Sequence, residues 1–252
     1  MQIQSKSPAG TDLPSPSLTT KQGQVRTAHV MFSPAPVQLF SGLHKEQIQA
    51  IEAAATRRKF EASRIIARAS EPAKSLFLIR AGYVDYYVTN EAGQDILLRR
   101  LAPGDVFGVG SLLSSPIGYI GTARAVQHVD ALEWKHEAIR QLARHYPQLT
   151  ENALRTALRY LALYAKRHIG IVSNTAQERL ACALSCLGTR TGHAKPSGVE
   201  VDIKNEDLAS LADVSFYTAC RVLKHWDSSG AVEKTRGRVI IRSPEKLLAV
   251  EC

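Results

Sequence analysis

No apolar stretch in the 252 residues approaches the roughly 20 that a membrane-spanning helix needs. No apolar core behind a charged start marks the first 30 residues as a secretory signal. Cysteine is scarce: the four lie at 182, 186, 220 and 252, form no zinc-type pair of pairs, and leave the first 181 residues without any. A disulfide-dense class is therefore excluded, and free thiols in a chain of this length point to a reducing compartment. With 16 Gly and 11 Pro the chain is not collagen-like, and 44% hydrophobic residues exclude wholesale disorder. No Ser/His/Asp order, P-loop or paired-carboxylate motif argues for catalysis. The expectation is a soluble, cytoplasmic protein that is not an enzyme and does not enter a membrane, of a length that suits two ordinary domains.

What is present is charge, a formal +9 with a pI near 9.5. It is spread along the chain: +4 over 1–60, −1 over 61–133, +5 over 134–170 and +1 over 171–252. One local cluster stands out in the last quarter, where Arg221, Lys224, Lys234, Arg236, Arg238 and Arg242 face only Asp227 and Glu233. A basic cluster is a footprint for nucleic acid only if the fold gathers it on one surface.

Residues 1–36 hold five of the eleven prolines and five serines without apolar periodicity, and read as a flexible tail. A short helix is expected over His44–Thr56, with Ser41 as a candidate cap. From Phe60 to Trp134 short runs of Val, Ile, Leu, Phe and Tyr alternate with glycines, as in Leu76–Ile79, Tyr83–Val88 and Ile96–Leu98; Asn90-Glu91-Ala92-Gly93 is a hairpin connection. This predicts an antiparallel barrel or sandwich. Pro147 suits the first turn of a long helix, along which Leu154, Leu158, Leu161, Ala165, Ile169 and Val172 recur at three- and four-residue steps, with Arg155, Arg159, Lys166 and Arg167 mostly off that stripe. Such a stripe packs on its own barrel or against a second copy of itself; the units downstream favour the second copy.

Thr175-x-x-Glu178 is a capping box for a helix bearing Leu180, Ala183, Leu184 and Leu187, with Gly188 as its expected end. Gly192–Gly198 reads as a loop and Val199–Ile203 as a strand. Leu208, Ala209 and Leu211 then mark one short helix, Ala212-Asp213-Val214 a turn, and Ser215 the cap of a second helix whose Ala219, Val222, Leu223 and Trp226 face inward. That is helix-turn-helix spacing, with Asp213 where the turn takes a left-handed residue. The second helix of such a unit enters the major groove with its N-terminal residues at base edges. Its outward residues are Phe216, Tyr217, Thr218, Arg221, Lys224 and His225. Arg221 suits guanine O6 and N7, Phe216 or Tyr217 a thymine methyl, and Ser215 with Thr218 a phosphate. Val232–Ile241 turns at Arg236-Gly237 as a wing that carries Lys234, Arg236 and Arg238 toward the phosphate backbone. The alternative is the same fold used as a ligand-binding regulatory module acting through protein contacts.

Leu101-Ala102-Pro103-Gly104-Asp105-Val106-Phe107-Gly108, the long helix, and Asp207-Leu208-Ala209 through Ser215-x-x-Thr218-x-x-Arg221-Val222-Leu223 together resemble the CRP/FNR superfamily of bacterial transcription regulators, over roughly residues 36–248. The resemblance implies an α+β chain with an N-terminal antiparallel β-roll (cyclic-nucleotide-binding-like), a long dimerisation helix and a C-terminal winged helix-turn-helix. The implied division is 1–36 tail, 37–134 sensory roll, 135–172 dimerisation helix region and 173–252 DNA-binding domain. It further implies a homodimer on a palindromic double-stranded operator, with RNA polymerase as a further candidate partner. Cyclic-nucleotide-binding members have a Glu shortly after the Phe-Gly and an Arg-Ser pair before the next strand; Val109 and Tyr119-Ile120 stand there here, and Arg124 is displaced in register. A buried cyclic phosphate without a cation is disfavoured, so the expectation is regulation not through cyclic AMP. The iron–sulfur branch uses N-terminal cysteines that this chain lacks. Tyr217 replaces the Glu many members carry, while Ser-Phe-Tyr-Thr looks like members linked to nitrogen-oxide response. No residue pattern names the effector or a cofactor.

Cys182 and Cys186 share a helix face, an arrangement open to metal or redox chemistry, but without a nearby third ligand they read as small residues packed against neighbouring helices. Cys220 on the second helix reads the same way. His128, His136 and His168 are haem-ligand candidates by residue type alone and read as ordinary surface residues.

Overall fold

The computed structural model describes residues 38–247, all within one compact unit of the chain; the expected tail at 1–36 and Cys252 lie outside the described residues. The first helix, α1 (Lys45–Ala53), forms within the expected His44–Thr56 and ends three residues short of it, since Thr56 opens the first strand. Its cap is His44, whose backbone N–H is taken by Gln47 Oε1 at 2.9 Å; Ser41 instead offers its carbonyl to Asn152.

Eight strands make the roll: β1 (Thr56–Phe60), β2 (Ile65–Ala67), β3 (Ser75–Ala81), β4 (Val84–Thr89), β5 (Asp95–Leu101), β6 (Val106–Phe107), β7 (Thr122–Ala125) and β8 (Val129–Lys135). They pair antiparallel in two sheets, ordered β1-β8-β3-β6 and β2-β7-β4-β5. The two-residue period of β3 explains how one strand serves two cores. Phe77 and Ile79 point into the roll with Val84, Phe107, Tyr119 and Ala123, while Leu76 and Leu78 point out to Phe40, Ile51, Trp134, Ile139 and Leu149 under the helices. Trp134 anchors that second layer, its Nε1 donating to the Ile51 carbonyl at 2.7 Å. Gly108 closes the roll at φ 81°, where a Cβ would lie 2.3 Å from the Ser75 carbonyl oxygen, so no other residue fits.

Two helices follow, α2 (His136–His145) and α3 (Pro147–Ser173), the latter opening on Pro147 as expected. Its first turns bury Leu149 and Ala153 on the roll. Beyond them the stripe is bare: Leu154, Leu158, Leu161, Ile169 and Val172 are exposed, Val172 by 84%, so the roll of the same chain does not cover it.

The C-terminal unit is α4 (Ala176–Thr191), β9 (His193–Lys195), β10 (Gly198–Asp202), α5 (Asn205–Leu211), α6 (Phe216–Ser228), β11 (Val232–Thr235), β12 (Arg238–Ile241) and α7 (Pro244–Leu247). The capping box at Thr175 and Glu178 forms, worth about 1 kcal/mol to the helix. Gly188 does not end α4, which runs on to Thr191. Glycine is there for packing, since a Cβ would come 2.9 Å from Ile241 Cδ1. The expected loop at 192–198 contains β9, paired antiparallel with β10 to complete the sheet β11-β12-β10-β9. Among the described residues no helix is long and apolar enough to cross a membrane.

Candidate nucleic-acid interface

Helix α5, the turn 212–214 and α6 form the helix-turn-helix at the expected spacing. Asp213 adopts φ 53°, the left-handed conformation the turn requires and one that Asp tolerates better than most residues. Ser215 caps α6: its Oγ accepts from Thr218 N–H at 3.1 Å and lies 2.9 Å from the Thr218 hydroxyl. Ala219, Leu223 and Trp226 are buried, with Val222 partly so. That pins the opposite face outward.

On the outward face Tyr217 is 83% exposed beside Phe216, with ring centroids 5.8 Å apart, and Arg221, Lys224 and His225 follow along the helix. The hairpin β11–β12 turns at Arg236-Gly237, Gly237 taking φ 76°. Asp227 of α6 accepts from Lys234 N–H at 3.1 Å, which fixes the wing beside the second helix. Not every cation there is equal. Arg238 Nε lies 2.9 Å from Asp202 and Arg242 is bonded to Glu233, whereas Arg221, Lys224, Lys234 and Arg236 have no salt-bridge partner among the described residues. Counting charge along the sequence missed Asp202, because it lies on β10, paired with β12.

Side chains that seat this unit on the roll have no local sequence signal. Tyr87 and Leu97 of the β4–β5 hairpin are buried in the same core as Leu180, Leu208 and Leu223. Leu97 N–H donates to Ser210 Oγ at 2.7 Å. Arg100 grips Asp85 through two bonds of 2.7 and 3.0 Å and also donates to the Asp202 carbonyl. From α3, Arg167 holds the Asp213 carboxylate at 2.7 Å and the Ser210 carbonyl, and Arg179 of α4 donates to the carbonyls of Ala212 and Asp213 at 3.0 and 3.3 Å. Asp207 sits in this seam, and its carboxyl is pushed up by burial and then by the charge of Asp85.

Inside the roll, Tyr119, at the position where the resemblance expects the Arg-Ser pair, is buried in the core. Its hydroxyl donates to the Ser75 carbonyl at 3.0 Å and accepts from Ser75 N–H at 3.2 Å, close to the stacked Phe77 and Phe107 rings. Arg124 is paired with Asp95 at 3.2 Å and lies over the Tyr87 ring. Ile120 is exposed. Among the described residues no group of three or more His, Cys, Asp and Glu is placed to hold a metal. His136 Nδ1 is 2.7 Å from the Ser111 carbonyl, and His128 lies 3.5 Å from Glu61. Cys182 and Cys186 are exposed, contrary to the expectation that they pack against neighbouring helices: α4 buries Leu180, Ala181, Leu184 and Leu187 on its other face. Cys220 is partly buried and takes a bond from Asn205 Nδ2 at 3.3 Å.

Residues 57–146 match the family described as cyclic nucleotide-binding domain, and residues 178–250 that described as Crp-like helix-turn-helix domain. The chain is 30% identical to the cyclic AMP receptor protein of Thermus thermophilus over 205 residues, 81% of this chain and 92% of that one. It is 25% identical to electron transport regulator A of Shewanella oneidensis over 178 residues, 70% of each. Among solved structures, the c-di-GMP responsive global regulator CLP of Xanthomonas campestris superposes with a TM-score of 0.69 at 18% identity, covering 79% of this chain and 99% of that one. FixK2 of Bradyrhizobium japonicum gives 0.65 at 20%, with the same coverage. At these identities the two structures speak for the fold alone.

Proposed function

Because the chain belongs to the CRP/FNR family of transcription regulators, whose members bind DNA through this helix-turn-helix, we propose that it acts in the cytoplasm as a homodimer reading a palindromic operator. The observation that carries this is the outer face of α6 and the wing beside it, which present two aromatics and four cations that have no acidic partner among the described residues. Arg221 reads a base edge, Phe216 or Tyr217 meets a thymine methyl, and Ser215, Thr218, Lys224, Lys234, Arg236 and Arg238 hold phosphates. Arg238 contributes least of the cations, since Asp202 shares its charge. The second copy is recruited by the bare stripe of α3, which from Leu154 to Val172 runs for about 27 Å at 1.5 Å per residue. Residues 37–134 sense, 135–172 pair and 173–252 bind.

The effector acts by preferring one of two arrangements of the DNA-binding unit on the roll, and the seam at Leu97, Arg100, Arg167 and Asp213 is what distinguishes them. Tyr119 in the roll interior and the pairing of Arg124 with Asp95 support an effector other than cyclic AMP. RNA polymerase is the partner through which a bound dimer acts. Selection from a randomised duplex pool should return a palindromic consensus with half-sites one helical turn apart; a pool with no consensus would transfer the reading to protein contacts. Calorimetric titration should give no micromolar-range heat with cyclic AMP or cyclic GMP, and tight binding would refute the exclusion.

A further inference from the structure

Helix α4 carries Glu178, Cys182, Cys186 and Arg190 at four-residue steps, so the four side chains lie along one face. Both thiols are free and exposed, while the opposite face of the helix fills the domain core. Glu178 is no third ligand: its carboxylate is held by the Thr175 N–H at 2.7 Å and the Thr175 hydroxyl at 2.9 Å. Arg190 at the other end, one turn beyond Cys186, is bonded to Asp105 on the turn between β5 and β6.

Spacing decides what two such thiols can do. A disulfide needs Cβ atoms about 3.5–4.5 Å apart. One helical turn sets them about 5–6 Å apart, so closing it means bending α4. A cation bound linearly between two sulfurs, with bonds near the roughly 2.3 Å of a zinc–thiolate bond, wants the sulfurs about 4.6 Å apart, which side chains with Cβ atoms about 5–6 Å apart can reach by rotation about χ1 without bending the helix. Zinc itself takes four ligands and finds only two here. Thiolates select soft ions. We propose that Cys182 and Cys186 form a two-coordinate site for a soft monovalent cation of the copper(I) class. On binding, each thiol releases one proton to water, two metal–sulfur bonds form and no electron is transferred. The complex carries one negative charge, which Arg190 offsets from the next turn. Because Arg190 also bridges to Asp105, an occupied site draws on one of the ion pairs that join the DNA-binding unit to the roll.

The test is an anaerobic titration of the reduced full-length protein with copper(I) against a chromogenic chelator, read by thiolate-to-copper absorption in the ultraviolet and by metal retained after desalting. One copper per chain is expected, and it should be kept when Cys220 and Cys252 are both changed to Ser. Cys182→Ser or Cys186→Ser should weaken binding more than ten-fold; both sites are exposed, so neither change disturbs the core. Arg190→Gln should weaken it about two- to five-fold, as for a partly exposed charge pair. Unchanged stoichiometry in the Cys182→Ser, Cys186→Ser double variant, or no copper held against the chelator by the unaltered chain, would overturn the assignment.

Discussion

The roll and the outer face of α6 with its wing both carry arginine and lysine, yet they differ in how far they match them with carboxylates. Between Arg57 and Lys135 seven of the eleven arginines and lysines lie within 4 Å of a carboxylate, namely Arg57, Arg58, Arg80, Arg99, Arg100, Arg124 and Lys135, while Lys59, Arg64, Arg68 and Lys74 do not. On α6 and the tip of the wing, Arg221, Lys224, Lys234 and Arg236 have none among the described residues. Most of the roll's charge is therefore matched internally, and net charge along the chain says little about where an anion can dock. What attracts a polyanion is cationic charge that the fold leaves unmatched.

That contrast can be broken most forcefully at Arg100. Its side chain is 4% exposed, so Arg100→Ala leaves Asp85 buried without its partner and should lower stability by about 3–5 kcal/mol. The measurement is urea unfolding. A loss below about 1 kcal/mol would mean the pair behaves like a solvated surface bridge. Next in size, Arg221→Ala should cost about 1–3 kcal/mol in operator binding and relax preference at one base position, while leaving stability alone. An identical profile across single-base operator variants would take Arg221 out of base reading. Lys234→Ala and Arg236→Ala should weaken binding to all duplexes alike, each reducing the slope of log affinity against log salt by about 1. Arg242→Ala, already matched by Glu233, should change that slope less; an equal change would erase the distinction between matched and unmatched cations.

The smallest effects are in acid. For Glu133 burial pushes the carboxyl up, but the bonds from Lys135 and Ser75 and the charges of Lys135 and Arg58 together outweigh it and leave the folded value depressed. Its stabilisation is therefore present above the unfolded pKa and lost as pH falls through the lower folded one. Asp207 has the reverse sign: its raised folded value means the ionised form costs stability near neutrality, and that cost is relieved as pH falls. Urea midpoints measured from neutral pH downward should fall less steeply in Glu133→Gln than in the unaltered chain. In Asp207→Asn the neutral-pH midpoint should rise slightly. A fall there would show that the seam needs the carboxylate.

The helix-turn-helix was legible because its signals are local: Ser215 as cap, the inward spacing of Ala219, Leu223 and Trp226, and a left-handed Asp213 are all set within a few residues. Gly188 was misread because glycine serves both helix ends and close packing, and only Ile241, 53 positions on, tells which. His193–Lys195 hid as a strand because a three-residue run between Gly192 and Pro196 carries no alternation of its own. The partner of Arg238, Asp202, lies 36 positions away and comes from strand pairing, and the seam of Tyr87, Leu97, Arg100 and Arg167 comes from docking between distant segments. Neither leaves a pattern in a window of ten residues. The exposure of Cys182 and Cys186 follows from which face of α4 meets the core, a choice made by Leu180, Leu184 and Leu187 together.

Tyr87 and Leu97 have a consequence for how separable the two halves are. The DNA-binding unit completes its core with two side chains it does not own, borrowed from a hairpin about 80 residues or more upstream of α4. A fragment cut at Asn174 would keep every residue of the helix-turn-helix and still uncover an apolar footprint on α5. Transplanting it onto another sensor would carry that footprint along, so the recipient would have to supply a matching hairpin. The unit of inheritance here is larger than the unit of DNA contact.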